Sequence, residues 1–175
     1  MLVFGGTGDL ALHKLLPALY YLHRDGRLHA QTRILALARQ PLERAAYQAL
    51  AERRCRAQVA RADFDAATWQ GFAERLDYFA MDIEQSADFS RLARRLEGSP
   101  AQQVYYLATA PRLFEAVVEH LAIAGLAGPQ SRIVLEKPLG HSLESARAIN
   151  AAIGKVFDES RVFRIDHYLG KETVQ

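Results

Sequence analysis

A single cysteine, Cys55, occurs in the 175 residues. No internal disulfide framework can form from one thiol, and no cysteine cluster can hold a structural zinc. An excess of one charge is also lacking: 22 basic side chains face 20 acidic ones, a net charge of +2. That balance is too small to point to nucleic acid as a partner. The cluster Arg53, Arg54, Arg56 and Arg61 reads as a solvated helix face. No run approaches the ~18 consecutive apolar residues of a membrane helix. Met1-Leu2-Val3-Phe4 lacks the basic start and long apolar centre of a secretory signal. His13, His23, His29, His120 and His141 sit on or beside expected helices and turns, so no metal site is expected. What remains is a chain that is 50% hydrophobic, long enough for one domain with a real core, and expected to be cytoplasmic.

The apolar pattern supplies the fold class. Leu2-Val3-Phe4 reads as the end of a strand that would need about two more residues upstream, so the chain is expected to be trimmed at its front. A helix is expected from Asp9 to Arg24, with Leu10, Leu15, Leu19 and Leu22 at helical spacing and Pro17 distorting it. Further strands are expected over 33–39, 77–83, 103–109, 131–136 and 161–165. Helices are expected over 42–60, 66–76, 87–96, 111–124 and 142–157, with Pro111 opening one and Ser142 capping another. Alternating strands and helices build a parallel sheet with helices on both faces. The right-handed crossover rule then favours the α/β, doubly wound parallel sheet of the Rossmann-type dinucleotide-binding fold.

The first strand-to-helix turn carries Gly6-Thr7-Gly8-Asp9-Leu10-Ala11, a match to G-x-G-x-x-A in the context that motif requires. Glycines there let a pyrophosphate approach the amides of a helix N-terminus. The second strand ends Ala38-Arg39-Gln40, without the carboxylate that would hold a ribose 2′-hydroxyl. A guanidinium suits a 2′-phosphate and can lie against adenine, so the expected cofactor is NADP rather than NAD. Arg39 stands farther from the glycines than the usual interval of about 20 residues, which a long first helix would explain. Two later strand ends are dense in reactive groups: Glu136-Lys137-Pro138-Leu139-Gly140, and Arg164 through Glu172. Ligands of open α/β sheets bind at the carboxyl ends of strands, so both segments are expected to face one crevice. His167 and Lys171, four residues apart, suit a phosphate dianion, and Asp166 could orient a base or bind a hydroxyl.

These segments resemble the glucose-6-phosphate dehydrogenase family. The likeness is carried by Gly5-Gly6-Thr7-Gly8-Asp9-Leu10-Ala11, by Ala38-Arg39, by Tyr106-Leu107-Ala108, and by the two reactive strand ends. The segment Arg164-Ile165-Asp166-His167-Tyr168-Leu169-Gly170-Lys171-Glu172 is the family's signature. Family members are far longer. The resemblance implies that residues 1–165 are their dinucleotide-binding domain and residues 166–175 the first of a substrate-binding α+β domain. It further implies that Gly5, Gly6, Thr7, Gly8, Asp9 and Leu10 line the pyrophosphate turn, and that Arg39 and Gln40 hold the 2′-phosphate and adenine. Asp82 and Ile83, ending the third strand, would border the adenosine. Lys137 would reach both nicotinamide and sugar, with Pro138 as a hinge. His167, Tyr168 and Lys171 would grip the sugar phosphate, and Asp166 would be the acidic half of a His–Asp dyad.

The implied reaction is NADP-dependent oxidation of glucose 6-phosphate at C1 to a lactone, the first step of the pentose phosphate pathway, by an enzyme that is a homo-oligomer at full length. The family's catalytic histidine would lie beyond Gln175, so the 175-residue chain is expected to show little or no turnover. Leu12-His13 stands where relatives tend to carry basic residues. Two alternatives stay open: a sugar oxidoreductase of the glucose–fructose oxidoreductase type, which shares Glu-Lys-Pro after the fifth strand, and a non-catalytic NADP-binding fragment.

Overall fold

The computed structural model describes residues 1–99, 102–137, 139–140 and 142–166. The chain divides into two compact units, Met1–Ala80 and Met81–Gln175. No helix among the described residues is long and apolar enough to cross a membrane.

In the first unit, strands β1 (Leu2–Phe4), β2 (Ile34–Ala38) and β3 (Leu76–Ala80) pair in parallel in the order β3-β2-β1. Phe4 stands opposite Leu37, and Ala38 opposite Ala80. All of β1 and the first four residues of β2 are buried. Near-continuous apolar runs of this kind belong to parallel strands covered on both faces. The expected first helix begins at Asp9 but passes through a π-helical turn, Ala11–Leu15, before α1 (Leu16–Arg24). The Leu16 amide donates to the carbonyl of Ala11, five residues back. Pro17 has no amide proton, and in regular α geometry its ring would crowd the His13 carbonyl. The wider turn relieves that crowding, so the expected distortion is a local bulge.

Helix α2 (Arg44–Gln58) buries Tyr47, Ala51 and Cys55 at four-residue spacing, and α3 (Ala66–Ala73) buries Trp69 and Phe72. Asp65 caps α3 by accepting from the amides of Ala67 and Thr68 at 2.9 and 3.1 Å. Tyr20 of α1 packs on Phe64, Trp69 and Phe72, with ring centroids 5.1 to 6.2 Å apart.

The second unit contains α4 (Ser86–Arg95), β4 (Val104–Leu107), α5 (Phe114–Ile123), β5 (Arg132–Glu136), α6 (Leu143–Gly154) and β6 (Val162–Ile165). Its strands are parallel in the order β4-β5-β6, with Leu107 opposite Leu135 and Glu136 opposite Ile165. Pro111 opens a 3-10 turn, Pro111–Leu113, that leads into α5. Ser142 caps α6 by accepting from the Ser145 amide, and the Ser145 hydroxyl oxygen accepts in turn from the Ser142 amide, a reciprocal capping box. Strand–helix alternation with parallel pairing runs through both units, and the fold is the α/β Rossmann type that the sequence predicts. Several boundaries shift by a few residues, and one shift touches predicted site residues. The third strand ends at Ala80, so Asp82 and Ile83 lie past it rather than at its tip.

Candidate coenzyme and substrate site

The glycine turn is shaped by β2. The amides of Gly5 and Gly6 both donate to the Leu37 carbonyl at 2.9 Å, and the Gly8 amide donates to Gly5 at 2.8 Å. Gly5 has φ +81°, a left-handed conformation that glycine adopts without strain. A Cβ on Gly6 would stand 2.6 Å from the Ala36 Cβ, so β2 passes too close for any side chain. The amides of Gly5, Gly6 and Gly8 are therefore engaged within the fold. In the helical turn that opens at Asp9 the Leu12 amide donates to the Gly8 carbonyl at 2.9 Å, and amides ahead of the first such bond of a helix are the ones suited to meet an anion. Ala11, the last position of the motif, is fully buried where helix meets strand.

Asp9 is exposed, and its carboxylate lies 3.7 Å from His13 Nδ1. The Arg54 guanidinium donates to His13 Nε2 at 3.2 Å, which leaves the ring proton on Nδ1. Arg53, Arg54, Arg56 and Arg61 are exposed, with Arg56 paired to Glu52 at 2.8 Å.

Beyond β2, Arg39 and Gln40 are exposed. The Tyr78 hydroxyl, from β3, reaches the carbonyls of Gln40 at 2.6 Å and Ala38 at 3.2 Å, on either side of Arg39. Tyr47, from α2, donates to the Gly6 carbonyl at 3.0 Å. The two rings stack with centroids 5.0 Å apart. Burial pushes both phenols above their ordinary value, so both remain protonated donors.

In the second unit, the Asp82 amide donates to the Asp88 carboxylate at 2.8 Å, and the Asp82 carboxylate accepts from the Glu84 amide at 3.0 Å. The Asp82 amide, with Arg91 beside it, holds the Asp88 carboxyl below its usual range. His120 Nδ1 contacts the Ile83 carbonyl at 3.0 Å. Asp82 is thus tied to the start of α4 and Ile83 to α5. Glu136, buried at the end of β5, accepts from the hydroxyl of Tyr106 on β4. Lys137 follows at the surface. Its amide donates to the Ile165 carbonyl at 3.0 Å, and its ammonium lies 3.1 Å from the Asp166 carboxylate. The pairing of β5 with β6 thereby joins two predicted site residues that are 29 positions apart. Arg164 is structural, bound to Asn150 and Glu159. At the carboxyl ends of β4 and β5 a cavity of about 460 Å³ is lined by Pro111, Arg112, Gly140, Ser142, Ser145 and Ile149.

Pro138, His167, Tyr168 and Lys171 lie outside the described residues. Tyr47 and Tyr78 have no part in the sequence reading, and Tyr106 enters it only within the Tyr106-Leu107-Ala108 segment of the family likeness. Their sequence signal is no more than an aromatic at an apolar position, although a buried tyrosine hydroxyl must find a partner.

The family model described as "Glucose-6-phosphate dehydrogenase, NAD binding domain" matches residues 2–175. The glucose-6-phosphate 1-dehydrogenase of Mycolicibacterium smegmatis is 43% identical over 178 residues, which covers 99% of this chain and 36% of that protein. The enzyme of Dickeya dadantii is 40% identical over 174 residues, covering 99% and 35%. A crystal structure of glucose-6-phosphate 1-dehydrogenase from Mycobacterium avium superimposes with a TM-score of 0.87 at 36% identity, over 97% of this chain and 36% of that one. A glucose-6-phosphate dehydrogenase in complex with its substrate glucose-6-phosphate gives 0.85 at 30%, over 98% and 37%. The chain thus spans about a third of the length of the relatives it matches.

Proposed function

Because the chain belongs to the glucose-6-phosphate dehydrogenase family and carries its NAD-binding domain, we propose that it is the coenzyme-binding part of an NADP-dependent enzyme that oxidises glucose 6-phosphate at C1 to 6-phosphoglucono-δ-lactone. By family, such an enzyme is cytoplasmic, homo-oligomeric and at the head of the pentose phosphate pathway. The observation that carries the coenzyme choice is the tip of β2, where an exposed arginine stands and no carboxylate does. The close approach of Ala36 to Gly6 keeps the turn tight against β2, which supports the dinucleotide reading of the motif.

When bound, NADP supplies the hydride acceptor, and the protein supplies position and charge. The amides of the helical turn opening at Asp9 hold the pyrophosphate, with Gly5, Gly6, Thr7 and Gly8 leaving room for it. Arg39 pairs with the 2′-phosphate, and Gln40 borders the adenine. Lys137, half-exposed beside Asp166, offers an ammonium toward the sugar. Asp166 is the carboxylate that orients an imidazole base, which needs a fixed tautomer to take the C1 hydroxyl proton. His167, Tyr168 and Lys171 bind the sugar phosphate.

The test is calorimetric titration of the chain with NADP and with NAD. Arg39→Asp is expected to weaken NADP binding by about 10-fold or more, the scale of a charge-assisted hydrogen bond, with a smaller change for NAD. Equal losses for the two coenzymes would remove Arg39 from the 2′-phosphate.

A further inference from the structure

We propose that Tyr47 and Tyr78 are positioning residues that hold the glycine turn and the Arg39 tip in fixed register, so that Tyr78 sets part of the discrimination between NADP and NAD. This rests on the coenzyme reading above.

A dinucleotide phosphorylated at the 2′ position presents its pyrophosphate and its 2′-phosphate at a set separation, so a protein that binds both must hold two turns at that separation. The glycine turn is fixed by the Leu37 carbonyl and by the close approach of Ala36. The tip has no such packing, because Arg39 and Gln40 are exposed. Its backbone is restrained by the Tyr78 hydroxyl, 2.6 Å from Gln40 and 3.2 Å from Ala38, and by the Leu42 amide, which also donates to Gln40 at 3.0 Å. The restraint therefore falls on the peptide units flanking the arginine and leaves its guanidinium exposed. Tyr47 does the equivalent for Gly6 at 3.0 Å.

Both hydroxyls serve the backbone of coenzyme turns, although a phenyl ring would fill the same core space. A buried hydroxyl costs free energy unless it is bonded, so each ring is confined to the orientation that reaches its carbonyl. The rings also stack at 5.0 Å, and in a close-packed interior one cannot shift without displacing the other.

Tyr78→Phe and Tyr47→Phe keep the rings and delete the hydroxyls. Titration of each variant with NADP and with NAD separates positioning from plain stability. Tyr78→Phe is expected to weaken NADP about 5-fold and NAD less, so the NADP-to-NAD affinity ratio falls. Tyr47→Phe is expected to weaken both coenzymes alike and leave the ratio unchanged. Amide hydrogen exchange at Arg39 and Gln40, measured without coenzyme, should accelerate in Tyr78→Phe and stay at the wild-type rate in Tyr47→Phe. A folded Tyr78→Phe chain with the wild-type ratio and wild-type exchange at the tip overturns the proposal. Wild-type protein that fails to bind NADP overturns the coenzyme reading itself, a distinct outcome.

Discussion

Gly6 and His23 show how much a single position depends on its neighbours. Gly6 is legible as a motif residue, but the reason for it, Ala36 pressing from β2, is visible only once the strands pair. His23 reads as an unremarked helix residue. Its ring packs against Phe72 at 5.7 Å, and burial, with Arg75 adding, pushes its pKa below the ordinary 6.5. The folded state therefore favours the neutral ring. Its contribution to stability is full above pH 6.5 and is lost as pH falls through the depressed value. Urea midpoints should be lower at pH 5 than at pH 7.5, and His23→Gln should narrow that difference. Equal pH dependence in the variant and wild type would rule out His23 as a contributor. Arg39 was legible for a different reason: a guanidinium at the end of a second strand is a chemical signal whatever packs beneath it.

The elements are joined by side chains reaching across to backbone, and this level was only partly legible. Helix α2 shows it well. Arg44 donates to the carbonyls of Leu76 and Glu74 at 2.9 and 2.8 Å, and Gln48 donates to Ala73 at 2.6 Å. The turn from α3 into β3 is thus tied down by the neighbouring helix. Arg44→Ala is expected to cost about 1–2 kcal/mol, because those carbonyls lose a charged donor. A denaturation midpoint within error of wild type would refute that role. Periodicity could place α2 but could not say which chain segment its polar side chains would meet. The π turn at 11–15 was half legible. Pro17 announces a distortion, but whether a helix bends or widens there depends on what packs against it.

At the scale of the molecule, coenzyme binding is expected to appear as stability. A ligand that binds only the folded chain adds about 2.7 kcal/mol at a hundred times its Kd. For a chain of this size that raises the melting temperature by about 5–10 °C. NADP should give the larger shift at equal concentration, and Arg39→Asp should erase the gap between NADP and NAD. A wild-type chain whose melting temperature moves equally with the two coenzymes would count against NADP as the preferred one.

The sequence by itself determined the α/β class, the glycine turn after β1, the arginine at the end of β2 and the capping of α6 by Ser142. Each of these is written in a few consecutive residues, where apolar period, glycine and capping chemistry act locally. Only the tertiary structure decided that Lys137 meets Asp166, that Tyr106 reaches Glu136, and that Tyr47 and Tyr78 stack on each other. Those contacts join residues about 30 positions apart. Strand pairing and helix packing choose the partners of a buried hydroxyl or an ammonium, and no local pattern encodes that choice.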